Sequence, residues 1–148
     1  MKIFFRKITL EDQDEIVDLF IEVYKNEPWN EVWDKKIAQK KIEDFLSSNI
    51  SENYCVTDGD NKIIGVLLGR RQYYIDSKEL YVDEYFIDTN YQNQGIGRKF
   101  MEYIEEEMKQ KGYSCIILLT EKSFPSEYFY SKIGFKTKDE TIFMYKKI

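Results

Sequence analysis

Gln92-Asn93-Gln94-Gly95-Ile96-Gly97 sets two glycines between a stretch that reads as a strand, residues 80–88, and one that reads as a helix. Lacking a Cβ, glycine takes φ > 0 readily, so the N–H groups of such a turn can converge at the positive end of the following helix. The chemistry this offers is the binding of a phosphate-bearing ligand. The same turn also serves as plain punctuation between two elements, and Q-x-x-G-x-G alone does not separate the two readings. It lacks the lysine-serine/threonine pair of a P-loop and the first glycine of the dinucleotide fingerprint.

Groups that could move protons are few. The chain has no histidine, which removes the usual metal ligand, the usual proton shuttle and every Ser-His or Cys-His arrangement. Cys55 and Cys115 each stand in an apolar, strand-like run, as expected of buried thiols in a reducing compartment rather than of a disulfide. Neither has the sequence context of a nucleophile. Among the remaining Asp, Glu, Tyr and Lys residues, Glu84 stands out, because it lies in a strand of otherwise apolar and aromatic residues. Partial desolvation there raises a carboxyl pKa. Strand alternation predicts that Asp83 points to the opposite face.

These groups must be held by the rest of the chain. With 148 residues, 43% apolar and 16% aromatic, it can bury one substantial core, and residues 1–148 read as a single soluble domain. No apolar run approaches the ~20 residues of a membrane span. The start, Met1-Lys2-Ile3-Phe4-Phe5-Arg6, is charged too early for a signal peptide, so cytoplasmic residence is expected. Twenty-two basic against 27 acidic residues leave a net charge of −5, which disfavours nucleic acid as a partner and tilts toward a cationic small molecule or basic peptide.

Residues 3–8 read as a strand, and Thr9-Leu10-Glu11-Asp12 as a capping-box-like start to a helix carrying Ile16, Phe20, Val23 and Tyr24 on one face. A second helix is predicted over 34–47, then a hairpin of residues 53–57 and 63–70 around Asp58-Gly59-Asp60-Asn61. After the strand 80–88 and the glycine turn, Ile96, Phe100, Tyr103, Ile104 and Met108 share a helix face that ends before Gly112. A short strand, 114–119, a helix, 126–132, and a final pair of strands, 135–138 and 141–147, complete the pattern. Helices between strands, with hairpins before and after, imply an α/β (α+β) class with a mixed, mostly antiparallel sheet and helices on both faces.

Two further segments make a resemblance specific: Glu84-Tyr85-Phe86-Ile87-Asp88 before the turn, and Phe129-Tyr130-Ser131-Lys132-Ile133-Gly134-Phe135 some forty residues after it. The acidic strand, glycine turn, amphipathic helix, apolar strand and F-Y-x-x-x-G-F segment resemble the GNAT superfamily of acyl-CoA-dependent N-acyltransferases. The likeness runs from about Glu79 to Phe135 and continues through Phe143-Met144-Tyr145-Lys146. It implies a central sheet splayed at the cofactor strand, with acetyl-CoA entering a wedge between 80–88 and 114–119 as co-substrate, and no metal. The pyrophosphate would rest on N–H groups across Gln92, Gln94, Gly95, Ile96 and Gly97, with Arg98 either close to that charge or simply solvated. Phe86 and Ile87 would face the pantetheine arm. Ser123 and Ser126 stand where many members have Asn and Ala, and serine can still bond a pantetheine amide or cap the helix.

The same resemblance implies transfer of an acetyl group to a primary amine by direct attack in a ternary complex. Glu84 is the candidate base, directly or through a water, or else only an ammonium-binding group. Tyr130 is the candidate proton donor to the departing thiolate. Glu27, Trp29 and Trp33 lie in a segment, Glu27-Pro28-Trp29-Asn30-Glu31-Val32-Trp33-Asp34, that reads either as an aromatic, anionic acceptor pocket or as a loop anchored by tryptophan. Tyr73, with Tyr74 and Asp76, would form the other wall. A non-catalytic acyl-CoA sensor and an acetyltransferase of protein amino groups remain alternatives. A homodimer that hides exposed aromatics such as Tyr145 is also compatible.

Overall fold

The protein is described by a computed structural model that covers all 148 residues. Its elements run β1 (Phe4–Lys7), α1 (Gln13–Lys25), α2 (Lys35–Leu46), β2 (Ser51–Thr57), β3 (Ile63–Tyr74), β4 (Ser77–Ile87), α3 (Ile96–Gln110), β5 (Tyr113–Leu118) and α4 (Pro125–Lys132). The five strands form one sheet in the order β1-β2-β3-β4-β5. All pairings are antiparallel except that of β4 with β5. No helix is long and apolar enough to cross a membrane.

Strand alternation divides the core into two clusters, one on each face. Tyr54, Val56, Leu67 and Leu80 pack with Ile96, Phe100, Ile104 and Met108 of α3. Cys55, Val66 and Leu68 face Ile16, Phe20 and Val23 of α1 and Ala38 and Ile42 of α2. These apolar positions recur at helical spacing, so each helix buries one stripe and solvates the other.

Local polar contacts set where the helices begin. The Asp12 carboxylate takes the Arg6 guanidinium in a fork, at 2.8 and 3.0 Å, and the Thr9 N–H at 2.8 Å. The Arg6 hydrogen bond holds the Asp12 carboxyl below its ordinary range. Asp34 caps α2 by accepting the Ile37 N–H at 3.0 Å.

Three expectations are corrected. Residues 71–79 do not merely separate the predicted strands 63–70 and 80–88. They extend β3 and β4 into a hairpin whose tip exposes Tyr73, Tyr74 and Ile75. This part of the hairpin projects past the core, so it carries no apolar alternation to announce it. Residues 135–148 contain no strand, although their composition suits one. A strand needs an edge to pair with, and here the segment pairs with none. Cys115 is exposed rather than buried, because β5 is the last strand of the sheet; only Cys55 is enclosed.

Candidate active site

β5 follows β4 in register only as far as Val82 opposite Leu118. The five residues 83–87 continue β4 with no neighbour on that side, which leaves a wedge of unpaired backbone between the two strands. This is the splay expected at the cofactor strand. It offers peptide groups to an extended ligand arm that can add as a strand would.

A bulge aims the side chains at the mouth of the wedge. Leu68 pairs with Glu84 and Gly69 with Val82, so Asp83 is an extra residue in β4. One inserted residue reverses the strand's phase. Leu80 and Val82 lie on the α3 face, as do Tyr85 and Ile87, whereas Phe86 lies on the α1/α2 face. Glu84 shares that second face, and Asp83 ion-pairs with Arg70 at 3.0 Å.

Glu84 sits at the base of an aromatic chamber. Tyr24 Oη donates to its Oε2 at 2.7 Å, and Lys41 Nζ lies 3.2 Å from its Oε1. Rings of Phe20, Trp29 and Phe86 surround Tyr24 at centroid distances of 4.8, 5.6 and 5.7 Å. Trp33 packs edge-on to Phe20, and the Lys41 ammonium lies over the Trp33 ring at 5.8 Å. The Glu84 side chain is only 13% exposed, and burial pushes its carboxyl above the ordinary value against the lowering effect of Tyr24 and Lys41. The Tyr24 hydroxyl is pushed well up, first by burial and then by the Glu84 charge. Tyr24 therefore stays a donor.

Tyr130 lies on the α3 side of the wedge. Its ring contacts Phe129, Phe135 and Tyr85 at 5.3, 5.4 and 6.2 Å. Burial and then the Glu84 charge raise its phenol. The structure thus brings Glu84 and Tyr130 to opposite sides of one open strand.

The glycine turn closes the far end. Gly95 has φ +80°, and a Cβ built there would meet nothing within 4 Å. The requirement is conformational. Gly97 instead answers a close approach, since its Cβ would lie 3.2 Å from Phe129 Cζ. Tyr85 Oη donates to the Gly97 carbonyl and ties the turn to β4. The N–H groups of Gly95, Ile96, Gly97 and Arg98 find no backbone acceptor in the chain, as the first turn of a helix dictates. These orphan donors fit a diphosphate. Replacing Gly95 by Ala should therefore cost about 1 kcal/mol of stability through left-handed strain alone, read as a lower urea midpoint. An unchanged midpoint would show that the turn relaxes.

Other expected residues are placed differently from one another. Gln92 Nε2 donates to the Ile87 carbonyl at 3.0 Å and Gln94 Nε2 to the Asn90 carbonyl at 3.4 Å, so these side chains brace the turn. Arg98 ion-pairs with Glu102 along the exposed face of α3. Ser123, at φ +69°, gives its N–H to Glu127 at 2.7 Å, and Ser126 bonds Thr120 at 2.6 Å. Trp29 bridges Tyr24 and Phe124, while Glu27 is exposed beside it. Tyr73 pairs opposite Lys78, six residues along β4 from Glu84, or roughly 20 Å at strand rise. The structure does not bring it to the chamber. Tyr24 and Lys41 join the site without a sequence signal for it: Tyr24 reads in sequence as a core position of α1, and Lys41 carries no signal at all. No cluster of three or more His, Cys, Asp or Glu residues is arranged to hold a metal.

Comparison with known proteins gives the class. The family model of the acetyltransferase (GNAT) family matches residues 14–135, and the chain belongs to that family. It is an acetyl-CoA-dependent acetyltransferase. A possible acetyltransferase from Clostridium difficile 630 shares the fold with a TM-score of 0.86 at 17% identity, over 100% of this chain and 99% of its own. AAC(6')-Iy in complex with a CoA-S-monomethyl-acetylneamine bisubstrate analogue superposes with a TM-score of 0.77 at 13% identity, covering 100% of both chains. An aminoglycoside acetyltransferase from an uncultured soil metagenomic sample, in complex with sisomicin, gives 0.75 at 21% identity, over 99% of this chain and 96% of that one.

Proposed function

We propose that this acetyltransferase acts on a primary amine of a cationic small molecule, by direct attack within a ternary complex. The observation that carries the reading is the seat of Lys41: an alkylammonium already held 3.2 Å from the Glu84 carboxylate and over an aromatic ring. The chamber is thus chemically suited to a substrate ammonium. Two proteins of similar fold are aminoglycoside acetyltransferases, which supports a polycationic acceptor.

Bound acetyl-CoA supplies the activated acetyl group as a thioester. The orphan N–H groups of Gly95, Ile96, Gly97 and Arg98 would hold its diphosphate, and the unpaired backbone of residues 83–87 its pantetheine arm. A backbone N–H there would also face the oxyanion. An alkylammonium has a pKa near ~10, so its proton must be removed before attack. Glu84 accepts that proton, directly or through a water, because burial has raised its affinity for one. Tyr130, still protonated at neutral pH, returns a proton to the departing thiolate.

Thermal unfolding with acetyl-CoA, CoA and ATP in parallel, followed by thiol release against an amine panel, tests this. Stabilisation by both CoA species with ATP inert, and turnover with polyamines or aminoglycosides, is the expected result. Binding without turnover on any amine would overturn the acceptor assignment. Lys41→Met gives a sharper check, since methionine keeps the aliphatic stem and removes the charge. Losing a cation that lowers Glu84 should move the acid limb of kcat/KM to higher pH, and vacating the ammonium seat should lower KM for a cationic acceptor. An unmoved limb would show that Lys41 and Glu84 do not communicate.

A further inference from the structure

Lys41 stands where an acceptor ammonium belongs. Its Nζ lies 3.2 Å from Glu84 Oε1 and 5.8 Å from the ring centroids of both Trp33 and Phe45. Its side chain is only 30% exposed, whereas Lys35, Lys36 and Lys40 of the same helix face solvent. Lys111 is as enclosed, at 29%, but it is bound to Glu52 and Tyr54, which belong to β2 and not to the open strand. Among the lysines in ion pairs, only Lys41 is held by Glu84.

A counterion for an enclosed carboxylate needs only a charge, and arginine supplies one with a better hydrogen-bonding fork. Lysine brings something more: a nitrogen that becomes a nucleophile once it loses a proton. Glu84, whose carboxyl burial biases toward the protonated form, is the group beside it that can take one. The unpaired backbone of residues 83–87 runs past the same carboxylate. Tyr130, whose phenol feels the Glu84 charge, lies across that strand. An amine nitrogen, a base and a proton donor thus gather at one stretch of β4.

We propose that Lys41 is a self-acetylation site: when no acceptor fills the chamber, the chain transfers an acetyl group from acetyl-CoA to its own Lys41 Nζ. The N–C bond forms as the C–S bond of the thioester breaks. The ammonium gives up two protons. One goes to Glu84 and on to water, and the other, released as the amide forms, restores the proton that Tyr130 passes to the departing sulfur. The product is a neutral amide, so the ammonium seat loses its resident charge and Glu84 its cation. The inference rests on the reading of the chamber as the acceptor site.

The test incubates the full chain with acetyl-CoA and no amine, then reads intact mass and maps the modified peptide. Lys41 should carry one acetyl group, gained at a rate per chain that dilution does not change. Lys41→Arg keeps the charge and should abolish the gain, Glu84→Gln should slow it by about 100-fold or more, and Lys40→Arg should leave it as it was. An unacetylated Lys41 overturns the proposal. So does acetylation spread evenly over Lys35, Lys36, Lys40 and Lys41, the mark of an uncatalysed reaction of surface amines, and so does a rate per chain that rises with protein concentration. The two readings fail separately. Turnover of polyamines or aminoglycosides with Lys41 unmodified removes self-acetylation and leaves the acceptor assignment standing, whereas acetylated Lys41 with no amine turned over does the reverse.

Discussion

Glu84→Gln is expected to lower kcat/KM by ~10²–10⁴-fold, the range of a lost general base, while leaving acetyl-CoA affinity unchanged. The amide fits the same space and still accepts the Tyr24 hydroxyl, but it takes no proton from an ammonium. Stability should move the other way. Burial raises the Glu84 carboxyl in the folded chain, so protons bind it more tightly folded than unfolded. Its contribution is therefore fully present below the ordinary carboxylate value and is lost as pH rises through the raised folded value. A neutral amide escapes that loss. Melting at pH 5 and pH 8 should show the wild type losing more than E84Q over this interval, and E84Q at least as stable at the higher pH. Steady-state kinetics decide the role: a fall in kcat marks the base, whereas a rise in acceptor KM at constant kcat would mean that Glu84 only binds the ammonium.

How far this site is legible in sequence depends on the range of the contacts that build it. The glycine turn and the buried faces of α1, α2 and α3 are local patterns, and they read correctly from spacing. That Glu84 lies among apolar neighbours is also local. Which way it points is not. Alternation counted from Leu80 would put it on the α3 face with Val82, and only the bulge at Asp83 turns it toward Tyr24. That bulge is a property of the β3–β4 register, where Gly69 meets Val82 and Leu68 meets Glu84, so no single strand announces it. Lys41 reaches Glu84 across 43 positions of chain and looks, in sequence, like any solvated lysine of an amphipathic helix. Tyr73 errs in the opposite sense. It is near Glu84 in the chain, yet a long hairpin carries it to the far tip of the sheet. Residues 141–147 show the same limit at the level of an element: their composition states that they can form a strand, but the edge they would join is not written in the segment.

Tyr130→Phe separates chemistry from packing most cleanly, because the ring stays and only the hydroxyl goes. Phe129, Phe135 and Tyr85 hold the ring at 5.3–6.2 Å, and phenylalanine keeps all three contacts. Thermal stability and CoA affinity should therefore change little. The phenol, raised by burial and by the charge of Glu84, stays protonated throughout the neutral range and is a donor rather than a base. What it protonates is a thiolate, whose parent thiol has an ordinary pKa near ~8.5. That is a far better leaving group than an alkoxide or amide anion, so the loss should fall at the low end for an acid catalyst, about 10²-fold in kcat or about 2.7 kcal/mol of barrier. The effect should appear in kcat with acceptor KM nearly constant, since the hydroxyl acts on the leaving sulfur and not in the aromatic chamber around Glu84. An unchanged kcat would remove Tyr130 from the reaction and leave the thiolate to depart unassisted. A loss confined to acetyl-CoA KM would make the hydroxyl a seat for the cofactor arm.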